Sequence, residues 1–181
     1  MVELWLRLAF SENYGFFETL VLWAGVHLFE VFWNKPKKIL ELGIGELERT
    51  PNMLSMVARI SDVPIHYVGF DRFEARMPGD PPGVTLKEAH RCLQKFGRIQ
   101  LVPGNPDSTL ARLCNHLGSF DLILVSAAID QVTISHCWFF LQRLTRSHTI
   151  VLQESAEGVW TTVSHQNIAD RANRQVFRKA G

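Results

Sequence analysis

The stretch that most constrains the fold is KKILELGIGELERTPNMLSMVARISDVPIHYVGFDRF, from Lys37 to Phe73. An apolar run ends in acidic Glu41, a short loop carries Gly43 and Gly45, a helix-like segment follows, and a second apolar run ends in Asp71. Short, continuously apolar runs are expected of strands buried on both faces, and such strands belong to parallel sheets whose crossovers are helices. The alternation continues along the chain. Strands are predicted at Lys38 to Leu42, Ile65 to Phe70, Ile99 to Val102, Leu122 to Ser126 and Thr149 to Leu152. Helices are predicted between them at Asn52 to Ile60, Leu86 to Phe96, Ser108 to Leu117 and Ser135 to Leu144. The result is an open α/β fold, a mostly parallel central sheet with helices on both faces, wound in right-handed crossovers.

The flanks are less regular. At the amino terminus, segment 1–34 holds the apolar run Gly15 to Trp33, interrupted by Glu18, His27 and Glu30 and preceded by Glu3 and Glu12 with a single Arg7. That pattern suits neither a cationic signal region nor a membrane span. Leu20, Trp23, Ala24, His27 and Val31 recur near helical spacing, so the segment is expected to form a helix across the sheet, or a homodimer surface if exposed. RMPGDPPGV, Arg76 to Val84, cannot continue a helix or a central strand and is expected beside a pocket mouth. After Glu154 only VWTTVS and RQVFRKA look strand-like, which predicts a terminal hairpin or irregular cap over 156–181.

The 181 residues, 46% hydrophobic and 20% charged, suit one domain, with core 37–155, in a cytoplasmic protein. A formal net charge of +1 with scattered basic residues supplies no field to draw in nucleic acid or an anionic membrane, and favours small-molecule partners. Cys92, Cys114 and Cys137, odd in number and without a CxxC pair, read as reduced packing residues.

In open parallel sheets a ligand sits beyond the carboxyl ends of the strands where strand order reverses, and the loop after the first strand meets it most closely. Gly43 and Gly45 lie in that loop, where glycine lets the backbone turn sharply and approach a ligand. Glu41 could accept a hydrogen bond from an amine, and Asp71 both hydroxyls of an adenosine ribose. The same carboxylates could instead cap the helices that follow them. No GxSxG elbow, GxxxxGK[ST] loop or HExxH pair occurs, which weakens hydrolase, nucleotidase and metalloprotease readings. A dinucleotide-dependent oxidoreductase would favour G-x-G-x-x-G, whose third glycine position is Glu48 here.

GFDRFEARMPGD resembles the "GFDSFEG-P" stretch of the macrocin O-methyltransferase-like group of class I S-adenosylmethionine-dependent methyltransferases, and RIQLVPGNPDSTL is similar to the group's strand followed by G-x-x-x-x-T-L. The ordered match runs from about Ile39 to Leu152. The resemblance implies a Rossmann-like methyltransferase fold, S-adenosylmethionine as cofactor and a small or medium-sized methyl acceptor. It implies that Glu41, Gly43 and Gly45 hold the methionine part and Asp71 the ribose, with Arg72 and Phe73 beside the adenosine. Pro103, Gly104 and Asn105 would lie near the adenine edge, with Ser126 also against the cofactor.

The chain departs from that pattern in two places. Glu46, Leu47, Glu48 and Arg49 follow the glycines where the group has small residues, and the group's metal-serving aspartates after the fourth strand are replaced by Ser126 and Ala128. Gln153 and Glu154 stand where the group has an acidic pair. Hard divalent cations need several oxygen ligands, so Asp130 and Glu154 make a thin set and no metal is assigned. Asp130 and Glu154 are instead the candidates for a general base or substrate contact. His136, within ISHCWFFLQRL, reads as a packing or surface residue rather than a base. Leu47 and Ala128 favour the alternative of an inactive relative that keeps the fold as a binding or oligomerisation module.

Overall fold

The computed structural model describes residues 35–179. The helix, dimer surface and segment boundary expected over 1–34 lie outside the described residues.

Each strand forms where the apolar runs fall. β1 (Lys38–Leu42), β2 (Ile65–Asp71), β3 (Gly97–Pro103), β4 (Leu122–Val125), β5 (Ile150–Glu154) and β6 (Trp160–Thr162) make one sheet in the order β3-β2-β1-β4-β5-β6. β1 pairs in parallel with β2 on one side and β4 on the other, Glu41 lying opposite Gly69 and Leu124. β2 with β3 and β4 with β5 are also parallel, whereas β6 returns antiparallel along β5, Gln153 opposite Thr161. Strand order therefore reverses at β1.

The period-2 alternation of strand side chains sorts the core onto the two faces. Leu40, Leu42, Val68, Phe70, Ile123, Val125 and Val151 form one cluster with residues of α3 (Pro106–Leu117), α4 (Gln131–Leu144) and α5 (His165–Lys179). Ile39, Ile65, Tyr67, Leu122, Leu124 and Leu152 form the other, with Leu54 and Val57 of α1 (Thr50–Ile60) and Leu93 of α2 (Leu86–Leu93). Each fully buried side chain of this kind contributes roughly 1.5–3 kcal/mol relative to an exposed one. α1 and α3 carry Pro51 and Pro106 in their first turns, where a missing N–H costs nothing. α2 opens with a reciprocal Thr85–Glu88 capping box.

The expected terminal hairpin exists only in part. VWTTVS supplies β6, but RQVFRKA does not form a strand: its residues belong to α5 as far as Lys179. Ile168 and Ala172, four residues apart and each 1% exposed, place one face of that helix in the core.

Candidate functional site

Because order reverses at β1, the loops after β1 and β4 diverge and leave a cleft at the carboxyl end of the sheet. A cavity of about 290 Å³ lies there, walled by Gly43 and Gly45 after β1, Asp71 at the end of β2, Asn105 after β3 and the Ala127–Asp130 loop after β4. Its outer wall is the proline-rich loop, through Arg76, Asp80 and Pro81. That loop is held by Arg72, whose guanidinium reaches both carboxylate oxygens of Asp80 at 2.7 Å.

The two glycines serve different needs. Gly43 (φ +82°) sits so close to the end of β4 that a Cβ would fall 2.9 Å from that of Ser126. Gly45 (φ +66°) faces open space, with no atom within 4 Å of an added Cβ, and its N–H donates to Asp71 Oδ2 at 2.8 Å. Two non-glycine residues beside the cleft are also left-handed, Leu47 at φ +66° and Phe73 at φ +48°. Backbone strain of that kind persists where surrounding contacts impose it.

Asp71 is 7% exposed, and its carboxylate is surrounded by donors of its own chain. Besides the Gly45 N–H, Oδ1 accepts from the N–H groups of Arg72 and Phe73 and from Arg76 Nη2 at 2.6 Å. Asn105 differs: its Oδ1 is buried without a hydrogen-bond partner among the described residues, in the wall of the cleft.

At the end of β1 the arrangement is closed. Glu41, fully buried, accepts from Tyr67 Oη at 2.7 Å, Thr50 Oγ1 at 2.9 Å and Arg49 Nε at 3.0 Å. Burial and the neighbouring Glu41 push the Tyr67 hydroxyl far above its ordinary range, so it stays a proton donor. Arg49 also donates to the Gly43 carbonyl at 2.7 Å and to Glu154 Oε2 at 3.0 Å, with its guanidinium carbon 4.9 Å from the centre of the Trp160 ring. Burial alone would lower the Arg49 pKa, but Glu41 and Glu154 outweigh it and hold the group above its ordinary range. Glu154 Oε2 is further taken by Ser126 Oγ at 2.9 Å and the Ala127 N–H at 3.0 Å.

Of the residues singled out in the sequence, the fold brings Gly43, Gly45, Asp71, Arg72, Asn105 and Asp130 to the cleft wall. Glu41, Phe73, Gly104, Ser126 and Glu154 are not among its lining residues. Glu41, expected to reach an amine, instead faces Arg49. Gly104 turns the chain into α3, its N–H bonded to the Asp71 carbonyl at 2.9 Å. Asp130 caps α4 by accepting from the Thr133 N–H at 2.8 Å. Hydrogen bonds from the Thr133 side chain and N–H hold its carboxyl below the ordinary range. His136 lies 3.4 Å from Asp107 and is not among the lining residues. Sequence reasoning missed the roles of Arg49 and Arg76. The available signal was a basic residue shortly after each strand-end acid.

Among the described residues no group of three or more His, Cys, Asp or Glu side chains is arranged to hold a metal ion, and no helix is long and apolar enough to cross a membrane. Neither a family model nor any curated protein matches the sequence. Solved structures do. A TDP-rhamnose 3'-O-methyltransferase of calicheamicin biosynthesis aligns with a TM-score of 0.56 and 15% identity over 93% of this chain and 81% of that one. An O-methyltransferase from Bacillus cereus in complex with S-adenosylhomocysteine aligns at 0.54 and 15% identity, over 84% of this chain and 66% of that one. The O-methyltransferase of tomaymycin synthesis from Streptomyces achromogenes, in complex with S-adenosylmethionine, aligns at 0.52 and 16% identity, over 70% and 53%. The chain thus spans 66% and 53% of the length of the latter two. At such identities the likeness establishes the fold: six strands, mostly parallel, flanked by helices in the Rossmann-like methyltransferase arrangement.

Proposed function

We propose that the chain binds S-adenosylmethionine in the cleft beyond β1, β2 and β4 and serves methyl transfer to a small or medium-sized acceptor. The observation that carries this reading is the juxtaposition, in one cleft at the point of strand reversal, of the Asp71 carboxylate, the open face of Gly45 and the unpartnered Asn105 Oδ1. A carboxylate at the end of the second strand suits a ribose diol, a bare glycine backbone lets the ligand approach, and a buried acceptor without a donor suits an exocyclic amine. The nucleoside half of the cofactor fits these groups. The fit is poorer for its amino-acid half, because Arg49 uses both the Glu41 carboxylate and the Gly43 carbonyl. The neighbours solved with S-adenosylhomocysteine or S-adenosylmethionine, and the macrocin-like stretches GFDRFEARMPGD and RIQLVPGNPDSTL, support the same choice.

When bound, the cofactor supplies an electrophilic methyl group. The protein's part is to hold the acceptor in line and exclude water. Asp130, at the cleft wall beyond β4, is the carboxylate placed to orient an acceptor. Glu154 and Ser126 support Arg49 and the 126–128 turn from behind.

A second reading, an inactive relative that retains a nucleoside site, is favoured by the engagement of Glu154 with Arg49 and the depressed Asp130 carboxyl, since neither makes a ready base. Isothermal titration with S-adenosylhomocysteine, adenosine and NAD separates the possibilities. Selective binding of S-adenosylhomocysteine, weakened by roughly 1–3 kcal/mol in Asp71→Ala, is expected for the loss of hydrogen bonds to a charged group. Equal binding of adenosine would favour the inactive module, and unchanged affinity in Asp71→Ala would refute the ribose role.

A further inference from the structure

A carboxylate offers about four acceptor positions, two on each oxygen. Oδ2 of Asp71 accepts only from the Gly45 N–H, whereas Oδ1 is filled by three donors of this chain, the Arg72 N–H, the Phe73 N–H and the Arg76 guanidinium, so a diol that reaches both oxygens meets an occupied Oδ1. Three of these donors are backbone groups, one in the loop after β1 and two in the turn after β2. The fourth is a side chain on the loop that walls the cleft. We propose that Arg76 is a built-in competitor for the ribose position, a latch that must leave Asp71 before a ligand carrying a vicinal diol can bind. The inference rests on the nucleoside reading of the cleft.

The latch is built into the loop's sequence. Arg76 Nη1 donates to the Phe73 carbonyl at 3.1 Å and the Val84 carbonyl at 3.3 Å, so one guanidinium ties the start of the loop to its end as well as to Asp71. Gly83 makes room for it: a Cβ there would fall 1.9 Å from Arg76 Nη2 and 2.0 Å from Cζ. The Val84 N–H in turn donates to the Gly45 carbonyl at 3.2 Å, so the closed loop is sewn to the glycine turn that faces the cleft. The carbonyl that Arg76 caps belongs to Phe73, whose left-handed backbone (φ +48°) is strained for a bulky side chain. A diol entering the cleft replaces the charged donor at Asp71, and the loop from Arg76 to Val84 is the part that moves.

The test compares the wild-type chain with Arg76→Gln, which removes the charge, and Gly83→Ala, which evicts the guanidinium from its slot while leaving every charge in place. S-adenosylhomocysteine affinity is measured by titration calorimetry, and exchange of the Val84 amide is followed by NMR without ligand. The latch predicts faster Val84 exchange and at least tenfold tighter binding in both variants. Wild-type binding that is equalled or weakened in both variants would overturn the latch and leave the nucleoside reading standing. Faster exchange with no binding by any of the three proteins would overturn both. Unchanged exchange in both variants would overturn the latch whatever the affinities.

Discussion

Arg49 is the residue on which the end of β1 depends. It is flanked by Glu41 and Glu154, stacked near Trp160 and 22% exposed at its side chain. Replacing it with Met leaves the Glu41 carboxylate, 0% exposed, with only the neutral Thr50 and Tyr67 donors. Breaking a buried ion pair from one side costs about 3–5 kcal/mol, so urea denaturation of Arg49→Met should give a loss of that order. A loss below about 1 kcal/mol would mean that the Thr50 and Tyr67 donors suffice for Glu41 without Arg49. Asp130 permits a cleaner separation of structure from chemistry. Its folded pKa lies below the ordinary 3.8, so its stabilisation of α4 is complete above that value and is lost as the pH falls through the depressed one. Asp130→Ala should cost about 1 kcal/mol as a lost helix cap, whereas Asp130→Asn keeps a good cap without a basic oxygen. Turnover preserved in the Asn variant would assign Asp130 to positioning. Turnover abolished at full stability would make it the base.

At the scale of elements, the strands were legible because burial on both faces leaves an uninterrupted apolar run. β1 occupies the predicted Lys38–Leu42, and the cores of β2 through β5 fall within a residue or two of expectation. Helix starts were less legible. α1, α3 and α4 begin two to four residues earlier than expected: Pro51 and Pro106 open α1 and α3 with first-turn residues that carry little hydrophobic signal, and the Asp130 cap starts α4 a full turn before Ser135. The start of α5 went unrecognised, and its end, RQVFRKA, was read as strand-like, because Ile168 and Ala172 alone mark its buried face in the described part of a polar sequence, too few to set a period. β3 begins earlier than predicted, at Gly97, whose φ of +145° brings the chain so near β2 that a Cβ would fall 2.4 Å from the Ile65 carbonyl oxygen. Gly97→Ala must therefore move backbone at this parallel edge, and a loss of roughly 1–3 kcal/mol is expected by thermal or chemical denaturation. No measurable loss would show that β3 can shift freely against β2.

For the molecule as a whole, the sheet order places the acid-ended strands side by side and opens a cleft at the carboxyl ends of the strands, where the alternation of strands and helices led one to expect it, although the strand order itself was not legible. Its chemistry did not. Glu41 looked available because a sequence does not reveal that Arg49, Thr50 and Tyr67 converge on it, the last of these 26 residues away. Asp71 looked free because Arg76 belongs to a loop that reads only as irregular. Both arginines are local in sequence, yet the geometry of Arg49 depends on Glu154 and Trp160, which the tertiary fold brings in, and that of Arg76 on the slot left by Gly83 in its own loop. A crystal structure of the full chain grown with S-adenosylhomocysteine would decide whether the cleft holds a nucleoside. The adenosyl group is expected in the cleft, with ribose hydroxyls on Asp71, Asn105 at the base and the Arg76 guanidinium withdrawn. An empty cleft at saturating ligand, or a ligand bound elsewhere with Arg76 still on Asp71, would contradict this expectation.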